Sequence, residues 1–91
     1  MAAAMEKSIY SEEYQLFLNR LKEARRKAGL TQSEMARRLG GAATQSFVSK
    51  CERGERRIDI AEMRAFCRAI GVPFSEFVAR VDRELGSPPT G

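Results

Sequence analysis

Five polar side chains between residues 45 and 53 carry the clearest chemistry in this sequence. Gln45, Ser46, Ser49, Lys50 and Arg53 follow Thr44 and offer an amide, two hydroxyls, an ammonium and a guanidinium, with no acid among them. Such groups hydrogen-bond base edges and phosphates: Gln pairs bidentately with adenine, and Lys or Arg with N7 and O6 of guanine. A polar stripe of this kind is ordinarily a solvated helix face. Its surroundings favour recognition, because a small-residue turn joins it to a capped partner helix within a strongly basic segment.

Other chemistries are poorly supplied. The 91 residues contain no His and no Trp. A Ser or Cys nucleophile would therefore lack the imidazole that commonly activates it. No paired-carboxylate or glycine-rich phosphate site takes its place, so an enzyme is not expected. Cys51 and Cys67 are the only cysteines. They cannot build a four-ligand metal cluster, and each sits among apolar neighbours at helical spacing, so both are expected as buried free thiols. No metal and no cofactor are expected. The first eight residues lack the apolar core of a signal peptide, and no apolar run approaches a membrane span. A cytoplasmic location is expected.

The net charge of +4 is unevenly spread. Residues 1–19 carry one Lys against three Glu, net −2; residues 20–57 carry eleven Lys and Arg against four Glu, net +7; residues 58–91 carry four Arg against five acids, net −1. The basic block coincides with the polar stripe.

Stepping outward from the stripe, glycines and capping residues divide the chain into five helical stretches and no strand. The first opens near Ser11, an N-cap followed by Glu12 and Glu13, and repeats Tyr10, Tyr14, Phe17, Leu21, Ala24 and Ala28 at three- and four-residue steps up to Gly29. The second opens on the capping box Thr31-Gln-Ser-Glu34, with Leu30 and Met35 as its hydrophobic staple, and closes at Gly40. Thr44 caps the third, which stops at Gly54. The fourth starts at Asp59 with Glu62, takes Ile58 and Met63 as its staple, and runs through Phe66, Cys67 and Ile70 to Gly71. The fifth spans about residues 74–85 behind Pro73. The predicted organisation is a flexible segment over 1–10, one domain over 11–85 and a disordered tail over 86–91.

On a wheel of about 100° per residue, Val48, Cys51 and Glu52 share the inward side of the third helix. Ser46, Ser49, Lys50 and Arg53 lie opposite, with Gln45 near the edge. Phe47 falls at the boundary, where it either packs under the preceding turn or meets a thymine methyl. Arg37 and Arg38 are either phosphate contacts or solvated charge.

With these features in place, the sequence resembles the Cro/C1-type (XRE-like) helix-turn-helix family of bacterial and phage regulators. The resemblance covers roughly residues 21–78. It rests on Gly29-Leu-Thr-Gln32, Ala36 four residues before Gly40, Gln45-Ser-x-Val-Ser-Lys50, and Glu52-Arg-Gly54 taken together. It implies an all-α, compact five-helix, lambda-repressor-like domain that lays the third helix in the major groove of double-stranded DNA. It further implies that Gln45, Ser46 and Lys50 read bases, with Ser49 beside them on the same face. Gln32 and Thr44 would clamp phosphates, and Arg53, Arg56 and Arg57 would follow the backbone. Arg25 and Glu52 match a family ion pair between the first and third helices. One departure is a turn about two residues longer than the family's common pattern, around Gly41-Ala42-Ala43.

The resemblance points to a repressor acting as a homodimer on a palindromic operator. Val81 and Leu85 on the last helix are the expected dimer seam. The competing reading is a protein-interaction module of the same fold, such as an antitoxin bound to its toxin. Tyr10, Tyr14, Phe17, Phe77, Val81 and Leu85 would then either complete a small core or face a partner.

Overall fold

Residues 12–86 are described by a computed structural model, and among them five helices and no strand are found. They are α1 (Tyr14–Lys27), α2 (Gln32–Leu39), α3 (Gln45–Glu52), α4 (Ile60–Ile70) and α5 (Phe74–Leu85). The expected N-cap Ser11, the apolar Tyr10 and residues 87–91 of the tail lie outside the described residues. At its described start, α1 has Glu13 in the capping position without a side-chain capping bond.

The capping residues define the helix starts because they satisfy backbone N–H groups that have no partner within the helix. Thr31 Oγ1 accepts the N–H of Glu34 at 3.0 Å, and the Thr31 N–H donates to Glu34 Oε1 at 2.8 Å. Asp59 and Glu62 repeat the reciprocal pattern at 2.7 and 3.0 Å. Thr44 caps α3 by accepting the N–H of Phe47 at 3.1 Å. Both expected staples, Leu30 with Met35 and Ile58 with Met63, are buried.

The long turn between α2 and α3 is a tight one. The Ala43 N–H donates to the Gly40 carbonyl at 3.2 Å. Gly40 and Gly41 hold φ of 76° and 60°, the left-handed region that a Cβ disfavours. The two extra residues are thus absorbed in a local reversal that ends at the α3 cap.

All five helices meet around one core centred on Leu18, Leu21, Met35, Val48, Phe66 and Val81. Its rim includes the tilted ring pair of Phe17 and Phe77, with centroids 6.2 Å apart. Cys51 and Cys67 are buried free thiols, and burial pushes the Cys67 thiol up to about 11. Two expectations need correction. Ala28 is exposed, whereas Leu18, four residues after Tyr14 and three before Leu21 but not among the residues expected on the inward face, is buried, because the inward stripe of α1 is wide enough to take adjacent residues. Val81 is 0% exposed and belongs to the core, so it presents no surface for a dimer seam. Arg38 is exposed, and one of its guanidinium nitrogens donates to the Ala69 carbonyl at 3.0 Å, which ties α2 to α4.

Candidate nucleic-acid interface

Val48 and Cys51 anchor α3 in the core, and this leaves Gln45, Ser46, Lys50 and Arg53 exposed, with Ser49 half-buried. The free N–H groups at the α3 N-terminus open beside Gln45 and Ser46, where an anion is favoured.

Beneath this face lies a continuous chain of hydrogen bonds. Arg25 Nε donates to Glu52 Oε2 at 2.6 Å and Arg25 Nη2 to Glu52 Oε1 at 3.0 Å. A further Arg25 nitrogen donates to the Leu30 carbonyl at 2.7 Å. The two residues are only 6% and 8% exposed, so this is a buried, bidentate pair. Glu52 Oε1 also accepts Gln32 Nε2 at 3.0 Å, and Gln32 Oε1 accepts Gln45 Nε2 at 2.6 Å. The chain therefore runs from inside the molecule to the amide of Gln45 on its surface. Glu52 receives three side-chain donors, the condition under which a buried carboxylate is tolerated.

The arginines around α3 are held by neighbouring groups. Arg53 donates to both carboxylate oxygens of Glu55, at 2.9 and 3.1 Å, and to Ser49 Oγ. Arg56 donates to Glu62 Oε1 at 2.8 Å and to the Arg57 carbonyl at 2.6 Å, and its guanidinium lies 5.0 Å from the Phe47 ring centre. Arg57 stacks over Tyr14 at 5.1 Å. The hydrogen bond from Arg53 holds the Glu55 carboxyl below the usual carboxylate range, and Arg56 does the same for Glu62. Both stay ionised to lower pH than a free glutamate. Glu55 is the residue that sequence reasoning missed. It lies just past Gly54, whose φ of 79° turns the chain back towards Arg53.

Phe47 packs inward: its ring is 6.2 Å from Phe66 of α4, with Arg56 over it. Tyr14 reaches the α3–α4 loop, where its hydroxyl oxygen accepts the Ile58 N–H at 2.8 Å. Of the residues singled out from sequence, Gln32, Gln45, Glu52 and Arg25 are joined directly. Ser46 and Lys50 stand on the exposed face, and the Thr44 hydroxyl is engaged in its cap.

Among the described residues, no group of three or more His, Cys, Asp or Glu side chains could hold a metal ion, and no helix is long and apolar enough to cross a membrane. Residues 21–77 match the family described as Helix-turn-helix. Among solved structures, the chain is similar to an XRE-family like protein from Pseudomonas syringae pv. tomato str. DC3000. The two are 44% identical with a TM-score of 0.80, over 92% of this chain and 98% of that one. No curated protein matches significantly.

Proposed function

Since this chain belongs to the XRE-type helix-turn-helix family of DNA-binding regulators, we propose that α3 reads a specific sequence in the major groove and that the protein represses transcription as a homodimer on a palindromic operator. The observation that carries this reading is the hydrogen-bonded chain ending at Gln45. Gln32 occupies one side of the Gln45 amide, which leaves Oε1 and the second Nε2 hydrogen for a base edge. That pairing matches adenine N6 and N7. Gln45 is thereby held before DNA arrives, which reduces the ordering entropy lost on binding.

Lys50 and Ser46 stand beside it as the further base contacts. Phosphates would meet the N-terminal N–H groups of α2 and α3 near Gln32 and Thr44. Arg53, Arg56 and Arg57 would add counterion release along the backbone, so affinity falls with salt. Arg53 and Arg56 must exchange Glu55 and Glu62 for phosphate, which tempers non-specific binding. One α3 helix reaches only a few base pairs, and two copies place half-sites about 34 Å apart. Selection of bound duplexes from a random pool at physiological salt tests the proposal. A two-fold symmetric motif is expected, and a pool that enriches no motif would refute specific reading.

A further inference from the structure

Arg20, Arg25, Arg53 and Arg56 each hold a carboxylate. Arg64 and Arg68, both exposed on α4, have no ion pair and no side-chain hydrogen bond among the described residues. Together with Arg38 of α2 they line an open cleft of ≈ 500 Å³ between α2 and α4, and its lining contains no acid. Glu62, the acid of α4, is turned away to Arg56 at 2.8 Å. The cleft is therefore a concentration of positive charge that the molecule does not itself neutralise.

On a wheel of about 100° per residue, Arg64 and Arg68 stand on one edge of the exposed face of α4, with Ala65 and Ala69 on the other. The two arginine positions are about 6 Å apart along the helix axis. Across the cleft, Arg38 is pinned by its bond to the Ala69 carbonyl at 3.0 Å, and Leu39 stands half-buried beside it. Methyl groups thus lie between two cationic walls. Beyond the wall formed by Arg64 and Arg68, a second cleft of ≈ 440 Å³ reaches Pro73 and Phe74.

This composition selects among anions. The phosphates of a duplex bury no apolar surface, so the methyl groups between the walls would contribute nothing to holding them. The cleft also lies off the face proposed for DNA, since Arg38 is about 9 Å along α2 from Gln32 and about 120° around it. A helix with an apolar ridge flanked by carboxylates satisfies both features. Its ridge covers the methyl groups as helix ridges fill grooves. Its acids at four-residue steps match the spacing of Arg64 and Arg68, and guanidinium forks take carboxylates bidentately. We propose that this cleft docks a helix of a partner protein that carries Asp or Glu on both sides of an apolar ridge. The proposal goes beyond the DNA reading and does not depend on it. Exposed charge pairs contribute little each, so the complex is weak and loosens with salt.

The test titrates the full chain, as wild type and as Arg64→Glu/Arg68→Glu, with three synthetic probes. They are an amphipathic helix with Glu on both flanks of a Leu ridge, the same peptide with Lys for Glu, and poly-Glu of equal charge. Binding is followed by the methyl resonances of Ala61 and Ala65. Both arginines are exposed and unpaired, so the double variant should melt close to wild type. Wild type is expected to bind the Glu helix best, with shifts centred on those two methyls. The double variant should bind it at least about tenfold more weakly, because charge reversal sets like charges opposite each other, and should take up the Lys helix instead. Equal binding of the Glu and Lys helices by wild type overturns the proposal. So does poly-Glu that binds as tightly as the Glu helix, since charge alone would then suffice. A DNA duplex that shifts the same methyls and displaces the peptide also overturns it, because the cleft would then belong to nucleic acid. A chain that docks the Glu helix here yet prefers no duplex would overturn the DNA reading and leave this one standing.

Discussion

Replacing Arg25 by Met separates the two tasks of the buried chain, stability and positioning. The side chain volume is roughly kept, but Glu52 loses both guanidinium bonds and the Leu30 carbonyl loses its donor. Only the Gln32 amide then serves a carboxylate whose side chain is 4% exposed. Stranding a buried charge in this way costs about 3–5 kcal/mol. A domain of this size has roughly 4–11 kcal/mol in total, and each kcal/mol shifts the midpoint by about 4–8 °C. Arg25→Met should thus melt at least about 12 °C lower, and the weaker bound would leave it partly unfolded at 25 °C.

The double variant Arg25→Met/Glu52→Leu removes both charges, and such replacements are often neutral or stabilising by about 1–4 kcal/mol. It should refold to near wild-type stability. Gln32 then has no carboxylate to hold it, so Gln45 is no longer pre-positioned and discrimination between DNA sequences should fall. Urea unfolding and competition titrations with matched and scrambled duplexes measure the two effects separately. A single variant within about 1 kcal/mol of wild type would refute the energetic argument. A stable double variant with undiminished discrimination would refute the positioning role.

Other substitutions test the surface. Glu55→Gln frees Arg53 and should tighten binding to all duplexes alike, with a salt slope steeper by about one unit; unchanged affinity would mean that Glu55 does not compete with phosphate. Lys50→Ala should relax preference at one base position by about 1–3 kcal/mol. Arg56→Ala should weaken all sequences about equally, and site-selection profiles of the two variants distinguish these patterns. The Cys67 thiol gives a pH signature. It ionises near 9.0 when unfolded and at about 11 when folded, so the unfolded state releases its proton first. Stability should fall as pH rises between those values, by about 2–3 kcal/mol in total. Alkaline denaturation curves of Cys67→Ala should lack that component, and identical slopes in both proteins would contradict it.

Local chemistry made most of the fold legible. Thr31 with Glu34, Thr44, and Asp59 with Glu62 are self-contained caps that need no tertiary partner to be recognised, and α2 to α5 begin where they or Pro73 stand. The stripe on α3 was equally readable, since periodicity alone separates Val48 and Cys51 from Ser46 and Lys50. What escaped depends on groups distant in sequence or on how a turn folds back. Val81 and Leu85 share one edge of α5, yet only the packing of other helices against it decides that Val81 is core. Arg38 finds a carbonyl 31 residues away. Glu55 reaches Arg53 through the conformation of Gly54, and no helical pattern encodes that. The bond from Gln32 to Gln45 likewise depends on how α2 and α3 cross, a property of their packing and not of either helix.

The central claim is that the exposed face of α3 reads bases with Gln45 held by Gln32. It is tested most directly by the affinity ratio of a selected operator to a random duplex, measured at one salt concentration for wild type and Gln45→Ala. Wild type should prefer its operator by about 10³-fold or more. Gln45→Ala should lose about 1–3 kcal/mol of that preference, concentrated at one adenine. A wild-type ratio near one, or a ratio that Gln45→Ala leaves untouched, would contradict the account.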